Sequence, residues 1–201
     1  MIKVRQRLEQ GLIQVYTGTT KGKTTAALGL ALRAIGHDFR VLMISFMKGG
    51  GYTGELFSAE RLHENFKIMQ FGRGCPYAAM IKEGYMKCQP GCRICFLHRS
   101  SVTENDRQTQ RQAFQVARQA ITSDEYDIVI LDEILNAIDY GLVGLEETLQ
   151  LLREKPPLVE VVLTGRHAPP PLIEIAHLVT EMVPVKHPFD QGIRSRRGIE
   201  Y

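Results

Sequence analysis

Residues Thr17 to Thr25 read TGTTKGKTT, between the apolar stretch GLIQVY and the helix-prone AALGLALRAIG. Glycines let a backbone close around an anion without Cβ clashes, and the amides that open a helix point at phosphate oxygens. In such a loop Gly18 and Gly22 are backbone pivots, Lys23 is the phosphate cation, Lys21 is a second cation, and the Thr24 hydroxyl is a ligand for Mg²⁺. The spacing differs from the usual GxxxxGK[ST], because only three residues separate Gly18 from Gly22. The alternative is a plain Gly and Thr turn with exposed lysines, which the coincidence of strand, loop, helix and GKTT disfavours. A second group of residues lies in YDIVILDE, where an apolar run ends on Asp132 and Glu133. Both carboxylates could help hold Mg²⁺, or one could orient a water or a metal ligand. Arg33, on the helix after the loop, and Arg166, in LTGRH, are candidate nucleotide contacts.

The four cysteines, Cys75, Cys88, Cys92 and Cys95, are spaced Cx12Cx3Cx2C and lie among turn-forming Pro76, Pro90 and Gly91. Four thiolates can close a tetrahedral Zn²⁺ site or hold an iron-sulfur cluster. Unpaired structural thiols would more naturally be spread over strands and helices. The Cx3Cx2C portion also resembles a radical adenosylmethionine signature, a reading that leaves the phosphate loop without a use.

The elements that must position these residues follow from the apolar pattern. LIQVYT reads as a buried first strand, and KTTAALGLALRAIG as a helix closed by a glycine cap at Gly36. FRVLMISFMKGG and NFKIMQFG both read as central parallel strands, with GELFSAERLHE a short helix between them. From Gly72 to Ser101 the periodicity breaks, and the segment reads as an insertion or lid. TENDRQTQRQAFQVARQAITS restores a helix, with Ala113, Val116, Ala117, Ala120 and Ile121 on one face. Strand YDIVILDE, helix LEETLQLLREKPP, strand LVEVVLTGR, helix PPLIEIAH and strand LVTEMVPV complete the chain. The alternation predicts an α/β fold of the P-loop NTPase kind: a mainly parallel central sheet with helices on both faces. Residues 1–201 are expected to form one domain, with 72–101 as its cysteine-containing insertion or lid.

Composition limits the function classes. With 44% hydrophobic and 23% charged residues over 201 positions, the chain is an ordinary globular sequence. No apolar run reaches the roughly 18 residues that span a bilayer, and no secretory signal is recognisable, so a cytoplasmic location is expected. The net charge of +3 is scattered except at IRSRRG, which reads as a solvated tail and not a nucleic-acid surface. A reducing compartment argues against structural disulfides.

With these residues in place, the sequence resembles the ATP:corrinoid adenosyltransferase family of cobalamin biosynthesis. That family's loop is similarly short, reading GNGKGKTT where this chain has GTTKGKTT, and its next helix also ends RAxG, here RAIG. VILDE, LTGR and the ending VPVKHPFDQGIRSRRGIEY look like the family pattern as well. The likeness covers nearly the whole chain apart from Gly72 to Ser101. It implies a parallel P-loop sheet, usually dimeric, in which Co(I) of a corrinoid attacks the 5′ carbon of ATP and triphosphate leaves. It further implies that ATP lies in the loop in the reverse of the ordinary direction. Thr19, Thr20, Lys21, Gly22, Lys23, Thr24 and Thr25 would bind phosphates, and Thr24 and Glu133 would bind the metal. A corrinoid reductase or a flavodoxin-type protein would supply the electron.

Two departures stand out. Thr20 replaces a loop glycine, a change the loop is expected to tolerate because the amides remain. The aromatic segment with which the family packs the lower corrin face is not recognisable after Phe71; the cysteine segment stands there, with Tyr77, Tyr85 and Phe96 nearby. That segment is expected to form a metal-stapled lid over the corrin or, if it holds iron and sulfur, to pass the electron that makes Co(I). The rival readings are a P-loop nucleoside kinase with a structural zinc site, and a non-enzymatic sensor or carrier that binds ATP and corrinoid.

Overall fold

The computed structural model describes residues 7–62, 64–89, 92, 94–193 and 195–201. Its centre is a sheet of six strands, β1 (Ile13–Thr17), β2 (Val41–Phe46), β3 (Phe66–Phe71), β4 (Ile128–Asp132), β5 (Glu160–Thr164) and β6 (Leu178–Glu181), in the order β3-β2-β4-β5-β1-β6. Every neighbouring pair is parallel. Parallel strands need crossover connections, and here these are α1 (Lys23–Ile35), α2 (Gly54–Arg61), α4 (Glu104–Thr122), α6 (Leu145–Glu154) and α7 (Pro170–Ile175). Two further helices, α3 (Ala78–Lys82) and α5 (Ile134–Asp139), lie in the connections after β3 and β4.

Strands β2, β4 and β5 are buried at every position, as continuous apolar runs covered on both faces should be. Alternate residues serve opposite cores. Leu42, Ile44, Phe46, Val129, Leu131, Val161 and Leu163 pack with Phe114, Ala117 and Ile121 of α4 and Leu149 and Leu152 of α6. Val41, Met43, Ile128, Ile130 and Val162 pack on the other face with Ala27, Ala31 and Ala34 of α1 and Ala59 of α2. The mainly parallel sheet with helices on both faces is therefore as the sequence predicts.

The expected central position of β3 is not. It lies at the sheet edge beside β2 alone, and its partly exposed pattern reflects that single neighbour. Gly36 does cap α1, but in a right-handed conformation with φ −62°, and the left-handed residue is Asp38 at φ 63°. Helix α5 goes beyond the sequence reading. It begins directly after Glu133, which takes φ 63° to turn the chain.

The cysteine segment is anchored at its start. Arg73 donates to both carboxylate oxygens of Asp106, at 3.0 and 2.7 Å. Asp106 also accepts from the Thr103 amide at 2.8 Å, while the Thr103 hydroxyl accepts from the Asp106 amide at 3.3 Å, so one carboxylate both caps α4 and fixes the neck of the insertion. Past β6 the tail makes a 3₁₀ turn at Pro188–Gln191 and returns to the loop after β1.

Candidate active site

The register sets the site. Tyr16 of β1 lies beside Thr164 of β5, Leu131 of β4 beside Leu163 of β5, and Asp132 of β4 beside Ser45 of β2. The carboxyl ends of four adjacent strands therefore come level, the edge at which parallel sheets present ligand-binding groups.

The loop from Gly18 to Gly22 follows β1. Gly18 and Gly22 take φ 120° and 112°, backbone that L side chains rarely adopt. At Gly18 space forbids a side chain too, since a Cβ would stand 2.3 Å from the Met182 carbonyl; one on Gly22 would stand 2.8 Å from the Met182 sulfur, which can shift. Met182 closes this back wall because its amide donates to Thr17 O at 2.9 Å, extending the β1–β6 pairing beyond the strand. Helix α1 starts immediately after Gly22 with no side-chain cap, so its first amides face the loop. Lys23, buried, donates from Nζ to Gly18 O at 2.8 Å and also to Thr20 O. Burial pushes its ammonium below the ordinary lysine value, and the charges of Arg166 and Lys48 add to that effect while Glu133 and Asp132 oppose it.

Beside the loop, oxygens surround one ammonium. Lys48 Nζ lies 2.6 Å from Asp132 Oδ2, 3.2 Å from Thr24 Oγ1 and 3.8 Å from Glu133 Oε1. Burial alone would lower the Lys48 ammonium, yet Asp132 and Glu133 hold it above its ordinary value. Asp132 is fully buried, and its Oδ1 accepts from Thr24 Oγ1 at 2.8 Å and from Thr164 Oγ1 at 2.7 Å. The Thr164 hydroxyl in turn accepts from the Glu133 amide at 3.0 Å. Glu133 Oε2 accepts from the Asn136 side-chain amide, and Asn136 Oδ1 receives the Arg166 amide at 2.6 Å. Hydroxyl and carboxylate oxygens already gathered on a cation are the donor set that Mg²⁺ takes, so Thr24, Glu133 and Asp132 fit that ion.

Thus Thr24, Asp132, Glu133, Lys23 and Arg166, predicted from separate segments, come together. Lys21 points outward and pairs with Glu200 of the tail at 2.8 Å. Thr19 and Thr25 are exposed, Thr20 half-buried. Arg33 stands apart: it is exposed in the last turn of α1, about 14 Å along the axis from Thr24. Sequence reasoning missed Lys48, Thr164, Asn136 and Met182. The available signal for Lys48 and Thr164 was their position at the carboxyl ends of apolar runs, where Asp132 was found.

The cysteines lie to one side. All four are free and half-buried. The Tyr52 hydroxyl is 3.9 Å from both Cys88 Sγ and Cys95 Sγ, and the Tyr52 ring meets Tyr201 edge-on with centroids 5.6 Å apart. Burial, first, and the neighbouring Cys75 and Cys88 push the Cys95 thiol up, against the Tyr52 hydrogen bond. Among the described residues, no three His, Cys, Asp or Glu side chains are gathered closely enough to hold a metal ion. Tyr77, Tyr85 and Phe96 are exposed on the same segment.

Residues 9–201, from before β1 to the last residue of the tail, match the family described as ATP:corrinoid adenosyltransferase BtuR/CobO/CobP. The chain belongs to this family. Relatives with that activity in their names are similar over more than four fifths of their own length. The corrinoid adenosyltransferase of Escherichia coli (strain K12) is 34% identical over 96% of this chain and 87% of its own. That of Sinorhizobium sp is 36% identical over 96% of this chain and 81% of its own. Corrinoid adenosyltransferase CobA of Salmonella typhimurium (strain LT2) is 32% identical over 96% and 87%.

Proposed function

We propose that this adenosyltransferase-family enzyme moves the 5′-deoxyadenosyl group of ATP to the Co(I) of a corrinoid, releasing triphosphate, in adenosylcobalamin formation. The observation that carries this reading is the family match running from residue 9 to 201, through the short loop, the Asp132–Glu133 turn and the tail. The step balances without a general base. Co(I) contributes an electron pair to C5′, the C5′–O5′ bond breaks, and its pair leaves on triphosphate. Glu133, held by Asn136 and Lys48, is accordingly not needed to activate a water.

The protein's part is position and charge. Lys23 and the first amides of α1 face the polyphosphate, Lys21 reaches it by exchanging Glu200 for a phosphate oxygen, and Thr19, Thr20, Gly22 and Thr25 line its path. Thr24 and Glu133, with Asp132, would hold Mg²⁺, which supplies further neutralisation of the leaving group. ATP lies with its 5′ carbon, not its γ-phosphate, offered to the acceptor, and Arg166 contacts the nucleotide, whereas Arg33, at the far end of α1, is too distant from the loop to join it. Residues 1–201 act as one domain in the cytoplasm, as a homodimer that covers exposed Val183, Val185 and Phe189. A reductase or flavodoxin-type donor delivers the electron. Incubating the protein with ATP, Mg²⁺ and chemically reduced corrinoid yields the adenosylated corrinoid, read from its visible spectrum; ATP consumed to ADP with no adenosylated product for any corrinoid contradicts the reading.

Residues 72–101 form the lid over the corrin, offering Tyr77, Tyr85 and Phe96, and Cys75, Cys88, Cys92 and Cys95 staple it with Zn²⁺ or an iron-sulfur cluster. Support comes from their spacing and from the approach of Cys88 and Cys95 to one hydroxyl, that of Tyr52; because no three of the thiols are gathered among the described residues, the metal would have to draw them together. Metal and sulfide analysis with a visible spectrum separates the versions: one Zn²⁺ and no visible band leaves a structural staple and rules out electron transfer. Protein that neither carries nor takes up zinc or iron contradicts both.

A further inference from the structure

Lys48 belongs to neither the phosphate loop nor the carboxylate motif, yet its backbone is held on two sides. Met47, just before it, turns with φ 58°. The Met47 amide donates to Gln110 Oε1 at 3.0 Å, and Gln110 Nε2 donates to Phe71 O at 3.0 Å, so a buried side chain of α4 ties together the ends of β2 and β3. On the other side Gly72 packs so closely that a Cβ there would lie 2.6 Å from the Lys48 backbone. This turn directs the ammonium to Asp132 Oδ2, Thr24 Oγ1 and Glu133 Oε1, the oxygens fitted to Mg²⁺.

Two cations do not share those oxygens. Mg²⁺ binds oxygen at about 2.0 to 2.1 Å, inside the volume that the ammonium fills, and a like charge so near is repelled. Without any cation, fully buried Asp132 would be an uncompensated charge, which is strongly unfavourable. We propose that Lys48 is a resident counter-ion: it holds Asp132, Glu133 and Thr24 in place before the metal nucleotide arrives, then yields them to Mg²⁺ and turns its ammonium to the triphosphate. Metal entry and the delivery of an extra cation to the leaving group are thereby one event. The proposal rests on the Mg²⁺ and ATP part of the reading above and not on the corrinoid.

The test therefore omits corrinoid. Mn²⁺ binding to the nucleotide-free protein is followed by the loss of the free-ion electron paramagnetic resonance signal, and ATP binding with excess chelator by calorimetry. Lys48→Met, which removes the competitor while leaving the three oxygens, should bind Mn²⁺ about tenfold more tightly than the parent, and should bind metal-free ATP more weakly. Lys48→Arg, which keeps the charge, should retain the parent's weaker Mn²⁺ affinity. If Lys48 merely braces the site, Lys48→Met will bind Mn²⁺ no better or worse, and the proposal is overturned. Its failure would leave adenosyl transfer standing, and an absence of transfer activity would leave this measurement interpretable.

Discussion

Single side chains set the terms of the phosphate site. Gly18 combines φ 120° with a backbone oxygen 2.3 Å from its missing Cβ, whereas Gly22 at φ 112° faces the movable sulfur of Met182. Gly18→Ala should therefore lower stability by about 2 to 3 kcal/mol and abolish ATP binding, with Gly22→Ala milder on stability, as measured by urea unfolding and calorimetry. Lys23→Met should leave the fold but remove the buried cation of the loop, and if Lys23 meets the phosphates as proposed, adenosyl transfer should fall by about 100-fold or more in kcat/KM. The loop was legible in the sequence because its parts are contiguous and their chemistry is carried by residue type. Lys48 and Thr164 were not, because they join Asp132 only through strand register. Neither differs in type from the many exposed lysines and threonines elsewhere in the chain.

At the scale of elements, apolar runs disclosed the strands and the 3.6-residue period disclosed α4. The edge position of β3 was overlooked, although FKIMQF carries Lys67 and Gln70 where VLMISF of β2 is apolar but for Ser45; the remaining strand order follows from crossover paths that residue type does not disclose. The Thr103 and Asp106 capping box with Arg73 gives a test at this scale. The Arg73 guanidinium, first, and the Thr103 hydrogen bonds hold the Asp106 carboxyl well below the ordinary value of 3.8, against the effect of burial. A carboxyl lowered on folding adds stability that is complete above its unfolded value and is lost as pH falls through its folded one. Unfolding free energy should thus decline below about pH 4, and Asp106→Asn should lose about 2 to 4 kcal/mol at neutral pH and show a shallower acid slope. Equal acid slopes in parent and variant would remove this carboxyl from the account.

For the whole molecule, the tail links regions that are far apart in sequence. Glu200 pairs with Lys21 of the loop, and Tyr201 meets Tyr52, whose hydroxyl lies between Cys88 and Cys95. The phosphate loop and the cysteine segment therefore share a border at the end of the chain, an arrangement suited to covering a nucleotide and a large acceptor together. The resemblance of VKHPFDQGIRSRRGIEY to the family pattern pointed to this region, but its contacts with the loop appear only in three dimensions. The central claim concerns which bond of ATP breaks. Phosphorus NMR of the protein with ATP, Mg²⁺ and reduced corrinoid decides it most directly: triphosphate formed in equal amount with adenosylated corrinoid is the predicted result. Formation of ADP with inorganic phosphate or a phosphorylated acceptor in place of triphosphate would contradict it.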